Sequence, residues 1–312
     1  MFRTILVPLD GSRFAERALP LATMLTSKAR ARLHLLLAHR PAPAIAGLGD
    51  YLPPPVELDD ALRDREQTYL FEARERLGVV GEGPVDVSFA EAPPGSEIVE
   101  TATKLGADLV VMATHGRGAI GRLWLGSVAD YVVRQSAVPV ILVRGDQSNP
   151  RAGAPSIHGI LVPLDLSAES RNVLEPVIAV AQATQAHVTL LHVQEEYFQS
   201  FEPGVLYPTR EDPVIAEVRR TEAQRELDRV ADRLRERGLA VSARVVADMS
   251  AASGILRALE EQRFDLVAMT TQGAGGIRRF VLGSVADKVI RGAGKPVMVV
   301  RPGQGQVVAP IH

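Results

Sequence analysis

The sequence predicts an α/β protein built from two tandem copies of one domain, each a parallel β-sheet with helices on both faces. Short apolar runs alternate with longer amphipathic stretches along the chain, a pattern typical of parallel strands buried on both sides. An internal repeat is the second observation: Ile5–Asp10 returns as Ile160–Asp165, and Leu125–Asp130 returns as Leu282–Asp287. Right-handed crossovers then leave few topologies for each copy.

The repeat also predicts the domain boundaries. The two motifs recur after 155 and 157 residues, so each copy is a complete domain rather than a solenoid unit. The segment between the copies is rich in Pro, Gly and small polar residues and has no apolar periodicity, as linkers do. We predict domains at 1–146 and 157–302, a linker at 147–156 and a flexible tail at 303–312.

In the first copy, apolar runs predict five strands and amphipathic stretches predict four helices. Pro20 falls inside the first helical stretch and predicts a kink there. The strands are Thr4–Leu9, Arg32–Ala38, Val85–Ala90, Leu109–Ala113 and Val140–Val143, and the helices are Ser12–Lys28, Glu57–Leu77, Ser96–Leu105 and Ser127–Ser136.

The second copy follows the same order of elements. Its predicted strands are Ile160–Leu164, Val188–Val193, Val241–Val246, Leu266–Met269 and Val297–Val300, and its helices are Glu169–Thr184, Val214–Arg237, Gly254–Glu261 and Ser284–Arg291.

Composition excludes several classes of function. The 35 basic and 37 acidic residues nearly cancel, and aromatic residues make up 4% of the chain, which argues against nucleic-acid binding. Without cysteine there is no disulfide, thiolate catalysis or Cys-ligated metal. No apolar run reaches the roughly 18 residues of a membrane span, and the first residues lack a signal-peptide pattern. We therefore expect a soluble, cytoplasmic protein.

Ligands of open parallel sheets bind beyond the carboxyl ends of the strands. In both copies a glycine-rich segment leaves the fourth strand there and enters a helix, with Gly116, Gly126 and Ser127 in the first copy. The first amide groups of a helix lack intrahelical partners and lie at the positive end of its dipole, which favours phosphate. The alternative is a simple helix cap in which Ser127 pairs with Asp130 and Ser284 with Asp287.

Two other phosphate motifs fail. The chain has no Gly-x-x-x-x-Gly-Lys-[Ser/Thr] segment, so it is not a P-loop protein. A dinucleotide fingerprint at Gly116, Gly118 and Gly121 follows the fourth strand instead of the first and is broken by Arg278 in the second copy, so we regard it as coincidence.

Asp10 and Asp165 end the first strands and have two interpretations. Each carboxylate could accept hydrogen bonds from a ribose or amino group or hold Mg²⁺ through water, or it could cap the following helix. His39 and His192 close the second strands and are expected to be packed histidines rather than metal ligands. His115 has no counterpart in the second loop, where Gln272 stands, so we expect no shared catalytic role for it. The arginines of the two loops, which could approach phosphates or face solvent, are Arg117, Arg122, Arg278 and Arg279.

These motifs together resemble the universal stress protein family, over nearly the whole chain and twice. The resemblance rests on Val-Pro-Leu-Asp in the first strand, the second-strand endings at His39 and Val193, the glycine loop, Leu-Gly-Ser-Val-Ala-Asp and the final Pro-Val strand. It implies a five-stranded parallel sheet in the order 3-2-1-4-5, in the Rossmann-like manner of adenine nucleotide alpha hydrolases.

The resemblance also implies ATP, with Mg²⁺ accompanying it, at the strand ends. Its motif Gly-x2-Gly-x9-Gly-[Ser/Thr] has Ala113 and Thr270 at the first glycine position, so both copies depart from it. We expect Thr270 to resist a positive φ and to crowd a phosphate, so the first site is the better candidate. The residues carried over are Asp10, Arg40, Met112, Ala113, Gly116, Gly126, Ser127 and Val128, and in the second copy Asp165, Val193, Met269, Thr270, Gly273, Gly283, Ser284 and Val285.

Three functions compete. The leading one is a tandem universal stress protein that binds ATP as a regulatory ligand, with slow hydrolysis or self-phosphorylation at most, because no general base lies beside a nucleophile. The second is a nucleotide-free scaffold that acts through the long loops 40–56 and 195–213. The third is a nucleotidyl-transferring enzyme, which would need a Lys or His aimed at the α-phosphate in each site. We also expect the final strands to form an intramolecular pseudo-dimer, with homodimerisation of the chain left open.

Overall fold

The computed structural model describes residues 2–40, 56–114, 125–144, 155–195, 212–273 and 282–302. The chain divides into two compact units, Met1–Pro155 and Ser156–His312. Each unit contains a parallel sheet and helices, which confirms the predicted α/β class. The predicted tail lies wholly outside the described residues, and the linker and the two long loops lie mostly outside them.

The first unit has its described main strands in the order β5-β2-β1-β6-β7, and every pairing between them is parallel. A short 3₁₀ helix, Ala15–Ala18, precedes the first α-helix. The elements are β1 (Thr4–Leu9), α1 (Leu19–Ala29), β2 (Arg32–His39), α2 (Val56–Leu77), β3 (Val79–Val80), β4 (Gly83–Pro84), β5 (Asp86–Glu91), α3 (Pro94–Lys104), β6 (Leu109–Ala113), α4 (Ser127–Gln135) and β7 (Val140–Val143).

The second unit repeats this plan with the strand order β10-β9-β8-β11-β12, again parallel throughout. A 3₁₀ helix, Ser170–Val173, takes the place of the one in the first unit. The elements are β8 (Gly159–Pro163), α5 (Leu174–Thr184), β9 (His187–Glu195), α6 (Pro213–Glu236), β10 (Val241–Asp248), α7 (Ala251–Glu261), β11 (Leu266–Thr270), α8 (Ser284–Gly292) and β12 (Val297–Val300).

Helices cover both faces of the second sheet, as neighbouring residues of β9 show. The Gln194 amide donates to the carbonyl of Ala216 on α6 (3.2 Å). Val193 packs under α7, where a Cβ on Gly254 would lie 2.7 Å from its Cγ1. Successive residues of a strand point to opposite faces, so α6 and α7 lie on opposite sides of the sheet. This explains why the strands are apolar on both sides.

The central strands form the cores. All six residues of β1 are buried, and so are all of β6 and β7. Ile5 and Leu109 have no exposed surface, and each such side chain contributes about 1.5–3 kcal/mol of burial free energy. No helix among the residues that the structure describes is both long and apolar enough to span a membrane.

Two local predictions were wrong. Pro20 does not kink a longer helix: the segment before it is a 3₁₀ turn, and Pro20 lies in the first turn of α1, where its missing N–H group has no helical partner to lose. The antiparallel pair β3–β4 was also missed, because two-residue strands are too short to show periodicity.

A carboxylate fastens the amino end of each first strand. Oδ2 of Asp108 accepts the amides of Arg3 (2.6 Å) and Thr4 (3.0 Å). In the second unit, Oδ2 of Asp265 accepts the amides of His158 (2.8 Å) and Gly159 (3.1 Å). Both pairs lie at the edge opposite the predicted sites, so these carboxylates have a structural role.

Candidate functional site

The predicted sites lie where the parallel strands end at their carboxyl edge. In each unit the first and fourth strands are neighbours, so the Asp after the first strand and the glycine loop after the fourth reach the same edge. Gly116 lies outside the described residues, and so do His115, Arg117, Arg122, Arg278 and Arg279.

Asp10 and Asp165 both cap the turn that follows them. Oδ1 of Asp10 accepts the amide of Ser12 (2.9 Å), and the Ser12 hydroxyl accepts the amide of Ala15 (3.2 Å). Oδ1 of Asp165 accepts both the amide (3.0 Å) and the hydroxyl (2.5 Å) of Ser167. The capping alternative is therefore present in both units. The cap uses Oδ1 and does not involve the second oxygen, Oδ2, of either carboxylate.

In the second unit, that second oxygen meets the glycine loop. A Cβ on Gly273 would lie 2.0 Å from Oδ2 of Asp165. Only glycine fits there without displacing the carboxylate, so two of the predicted site residues are in contact. The strand end and the start of the glycine loop are therefore in contact in this unit.

The residue after each Asp has a left-handed backbone. Gly11 has φ 77° and Leu166 has φ 67°. Glycine adopts this conformation freely, whereas for leucine it costs about 1–2 kcal/mol. The turn at the second site is thus strained and the turn at the first is not, a difference that no local sequence signal reveals.

Gly126 and Gly283 are the cap residues of α4 and α8. The amide of Gly126 donates to the carbonyl of Thr114 (2.9 Å), and that of Gly283 donates to Thr271 (2.7 Å). A Cβ on Gly283 would lie 3.0 Å from the Thr271 carbonyl oxygen. Neither φ is positive, so at Gly283 glycine is needed for close approach rather than for backbone freedom. In each unit, this one hydrogen bond joins the start of the glycine loop to its end.

The predicted capping pairs are wrong. Ser127 and Ser284 are the first residues inside their helices, and glycine, which has no side chain, occupies the cap position. Asp130 instead pairs with Arg134 one turn on (2.8 Å), and Asp287 pairs with Arg291 in the same way.

The first amides of both helices are consequently not used by a cap. Among the described residues, none accepts a hydrogen bond from the amide of Ser127, Val128, Ser284 or Val285. The ion pair with Arg134 also offsets the negative charge of Asp130 near the helix start. Both features favour an anion at this position.

Ala113 and Thr270 end buried strands with ordinary extended backbones, and so do Met112 and Met269 just before them. The φ of Thr270 is not positive, so the predicted backbone conflict does not arise, and the crowding of a phosphate stays a prediction. Its hydroxyl instead donates to the carbonyl of Gln272 (2.7 Å) and fixes the start of the loop.

The second strands end differently in the two units, and the predicted equivalence of His39 and His192 in the repeat was wrong. Pro8 pairs with Leu36, and its repeat equivalent Pro163 pairs with Leu191. Counting onward along both strands, Gln194 takes the place of His39, and Glu195 that of Arg40.

Val193, which was predicted to be the equivalent of Arg40, precedes Glu195 by two residues and lies inside β9. Arg40 itself follows β2 and is exposed. His192 is half-buried, and its Nδ1 is 2.8 Å from the carbonyl oxygen of Leu164. His39 is buried between Glu66 and Asp59, which confirms that it is a packed strand-end histidine.

Asp248 at the end of β10 is a residue that sequence reasoning missed. A hydrogen bond from the Ser253 hydroxyl lowers the pKa of the Asp248 carboxyl, with help from the Met249 amide and the guanidinium of Arg257 (2.8 Å). The cluster fixes the start of α7. An acid followed by two serines at short spacing was its signal in the sequence.

Comparison with known proteins identifies the relatives of the chain. The universal stress protein family model matches residues 1–144 and 157–301. A universal stress protein of Thermus aquaticus is 36% identical over 144 residues, which are 46% of this chain and all of that protein. The crystal structure of a universal stress protein from Archaeoglobus fulgidus matches 96% of this chain and 98% of its own, with 20% identity and a TM-score of 0.68.

A further solved relative is a universal stress protein crystallised in complex with cAMP. It is 26% identical, covers 46% of this chain and 98% of its own, and has a TM-score of 0.34.

Proposed function

We propose that this chain, which belongs to the universal stress protein family, binds an adenine nucleotide, ATP with Mg²⁺, at the carboxyl edge of its sheets as a regulatory ligand in a stress response. The observation that carries the proposal is the start of α4 and α8. Glycine occupies both cap positions, and the next two amides have no acceptor among the described residues. Such amides are donors for phosphate.

The Asp at each first strand would contact the nucleoside. Oδ1 of Asp10 and of Asp165 is held by the turn, which fixes the direction of the carboxylate. A carboxylate fixed in this way accepts hydrogen bonds from ribose hydroxyl or amino groups without further ordering cost.

We propose that the first site binds ATP more tightly than the second. In the second unit, Oδ2 of Asp165 lies against Gly273, so a negative charge stands beside the loop that would meet the phosphates. The Thr270 hydroxyl also ties the loop to the Gln272 carbonyl, and it adds bulk where the first unit has Ala113. Binding at the second site would have to shift these groups.

Titration of the full-length chain with ATP and Mg²⁺ by calorimetry tests both statements. We expect binding in the native chain and a larger loss of affinity for Asp10→Asn than for Asp165→Asn. Asn keeps an oxygen that can cap the turn, so each variant removes charge with little effect on folding. No heat at millimolar ATP would overturn nucleotide binding, and a larger loss for Asp165→Asn would overturn the order of the sites.

A scaffold function is the second candidate, and an apolar surface on α6 favours it. Val214, Ile215 and Val218 are 70%, 55% and 51% exposed, and two of them line a cavity of about 490 Å³ along this helix. Exposed apolar clusters of this kind are typical of binding surfaces. Identification of nucleotide released from the purified protein separates the two functions: adenine nucleotide favours the first, and its absence together with a silent ATP titration favours the scaffold.

A further inference from the structure

The outer edge of the second sheet is closed by side chains. β10 is the outermost strand of this unit, and its main chain is also bonded on the side away from β9. Nε2 of Gln224 donates to the carbonyl of Ala243 (3.3 Å), and Oε1 accepts the amide of Val245 (3.1 Å). Arg235 donates to the carbonyl of Val241 (2.8 Å). With these groups occupied, β10 cannot pair with a further strand.

Two more residues complete this arrangement. Oδ1 of Asp228 accepts a second bond from Nε2 of Gln224 (3.0 Å), which orients the amide toward the strand. Arg257 of α7 donates to the carbonyl of Ala247 (3.0 Å). We call these four side chains the edge seal: Gln224, Asp228, Arg235 and Arg257.

β5 is the outermost strand of the first unit and corresponds to β10 by register. Ser88 pairs with Leu36, and Arg244 pairs with the residue of β9 that is equivalent to Leu36. Val87 and Phe89, on either side of Ser88, are therefore equivalent to the two strand residues that the edge seal holds through its glutamine. Their main-chain groups face away from β2, as those of their equivalents face away from β9.

The helices that flank these strands are related by 157 residues in the two units. Asp59 of α2 contacts the last residue of β2, and Ala216 of α6 contacts its equivalent on β9. α3 and α7 each have 11 residues, and their first residues are separated by the same interval. The equivalents of the edge seal are then Gln67 for Gln224, Phe71 for Asp228, Gly78 for Arg235 and Glu100 for Arg257.

The edge seal is missing from the first unit. Phe71 offers no acceptor to orient Gln67, and Gly78 has no side chain. The carboxylate of Glu100 accepts hydrogen bonds but donates none, and it pairs with Lys104 on its own helix (2.8 Å). Within the described ranges, no side chain bonds to the main chain of β5. The outer edge of β5 is therefore open.

Exposed apolar side chains lie beside this open edge. Phe71 is 51% exposed and is one turn from Gln67 on the same face of α2. Val79 is 75% exposed and follows Gly78, whose carbonyl accepts the amide of Val85 just before β5 (3.3 Å). An unpaired strand edge with apolar side chains beside it favours the addition of another strand.

The charges at the open edge indicate the kind of partner. Glu82 and Asp86 are exposed at the start of β5, and Glu91 is exposed at its end. Arg63 contacts Glu91 (3.1 Å) and offsets only part of this negative charge. A second copy of the chain would bring its own acids against these, whereas a basic segment would be complementary.

We propose that β5 binds an extended segment of a partner protein as an added strand of the first sheet. The segment is apolar at alternate residues and carries Lys or Arg between them. Main-chain hydrogen bonds to Val87 and Phe89 hold it, and Phe71 and Val79 contact its apolar side chains. The carboxylates at the two ends of β5 attract its basic side chains. The inference does not depend on nucleotide binding.

Residue-resolved hydrogen exchange of the full-length chain tests the open edge without a ligand. We expect the Phe89 amide to exchange at least about tenfold faster than the Val245 amide, which Gln224 holds. Equal protection of the two amides would mean that the edge of β5 is covered and would overturn the proposal.

Binding is tested with a synthetic peptide of sequence Lys-Val-Thr-Val-Lys-Val, blocked at both ends, and followed through the amide NMR signals of the full-length chain. We expect saturable shifts at Val87 and Phe89 at millimolar peptide. The matched peptides are one with Glu in place of Lys and one with every amide N-methylated. Each should bind at least about tenfold more weakly.

The possible results are distinct. No shift at Val87 and Phe89 overturns the site. Equal binding of the N-methylated peptide overturns strand addition, and equal binding of the Glu peptide overturns the basic partner. If the same amides instead shift when the chain is diluted without peptide, the edge belongs to a second copy of the chain and the proposed partner is wrong.

Phe71→Asp tests why the edge is open, because it restores the acceptor that orients Gln224 in the second unit. We expect Gln67 to bond to β5, the Phe89 amide to become protected and the peptide affinity to fall about tenfold. Phe14→Asp makes the same exchange at another exposed phenylalanine, just before the 3₁₀ helix, and should leave the affinity unchanged. Undiminished affinity in Phe71→Asp would contradict the proposal.

Asp228→Phe is the reverse test in the second unit, and it remains informative if Phe71→Asp does not fold. Loss of the acceptor should release Gln224 and make the Val245 amide exchange about tenfold faster. Unchanged exchange of this amide would contradict the role of the edge seal and with it the proposal.

Discussion

Oδ2 of Asp165 lies against Gly273, so close that a Cβ on the glycine would be 2.0 Å from it. The end of the first strand and the start of the glycine loop are thus interlocked in the second unit. This contact makes the glycine a packing requirement even when no ligand is bound.

Gly273→Ala should destabilise the second unit by about 1–3 kcal/mol, because the new methyl group displaces the carboxylate and its turn. Urea unfolding of the full-length chain measures the change. Gly294→Ala is the control, since a Cβ there meets nothing within 4 Å, and it should change stability by less than about 0.5 kcal/mol. Equal effects of the two substitutions would contradict the contact.

Leu166→Gly should stabilise the second unit by about 0.5–1 kcal/mol. The left-handed backbone at Leu166 costs a leucine about 1–2 kcal/mol, part of which the entropy of glycine in the unfolded chain cancels. Gly11→Ala at the equivalent turn should do the reverse and cost about 1 kcal/mol. The urea midpoints of the two variants should move in opposite directions, and a shared direction would refute the strain.

His34 should make the first unit less stable in mild acid. Burial lowers the pKa of His34 below its ordinary value of 6.5, an effect that Asp86 opposes and Arg32 reinforces. The unfolded chain then binds a proton that the folded chain resists, so stability is lost as pH falls through this value. His34→Gln, whose amide can still meet the Ser88 hydroxyl, should show a smaller loss of urea midpoint from pH 7 to 5.

His187→Gln is the control for that experiment. His187 bonds Ser242 in a similar way (3.0 Å) but is exposed. The loss of urea midpoint from pH 7 to 5 should be the same in this variant as in the native chain. If this loss disappeared in His187→Gln and persisted in His34→Gln, the assignment of the effect to His34 would be wrong.

Asp248 should contribute a second acid-dependent component, in the second unit. Its pKa is lowered chiefly by the Ser253 hydroxyl, so its stabilising effect is present above the unfolded value of 3.8 and is lost as pH falls further. Asp248→Asn should lower stability at pH 6 and flatten the profile between pH 5 and 3 in thermal unfolding. The exposed Asp232, paired with Arg235, offers a control: Asp232→Asn should keep the native profile.

The fold followed from the sequence because its signals are local. Continuous apolar runs predicted β6 and β7 with the bounds observed, and the repeat transferred the plan to the second unit. Helix starts were less well predicted, since a proline in the first turn of α1 and a proline inside a helix look alike in sequence.

The residues of the candidate site could be proposed from the sequence, but their contacts could not. Asp10 and Gly126 are marked by their places after a strand and before a helix. The equivalence of His39 with Gln194 is set by strand register, and matching identical residues led instead to His192. The left-handed turn at Leu166 runs against the preference of its residue type, so its conformation could not be predicted from the sequence.

The hydrogen bonds from Gly126 to Thr114 and from Gly283 to Thr271 have an evolutionary consequence. Each pins both ends of a connecting loop to the sheet through main-chain atoms, which every residue type supplies. Apart from Gly273, which lies against Asp165, the sequence between the two anchors can therefore change while the anchoring hydrogen bond is kept. A duplicated gene can in this way diverge in the ligands that its two halves recognise while both halves keep the same fold.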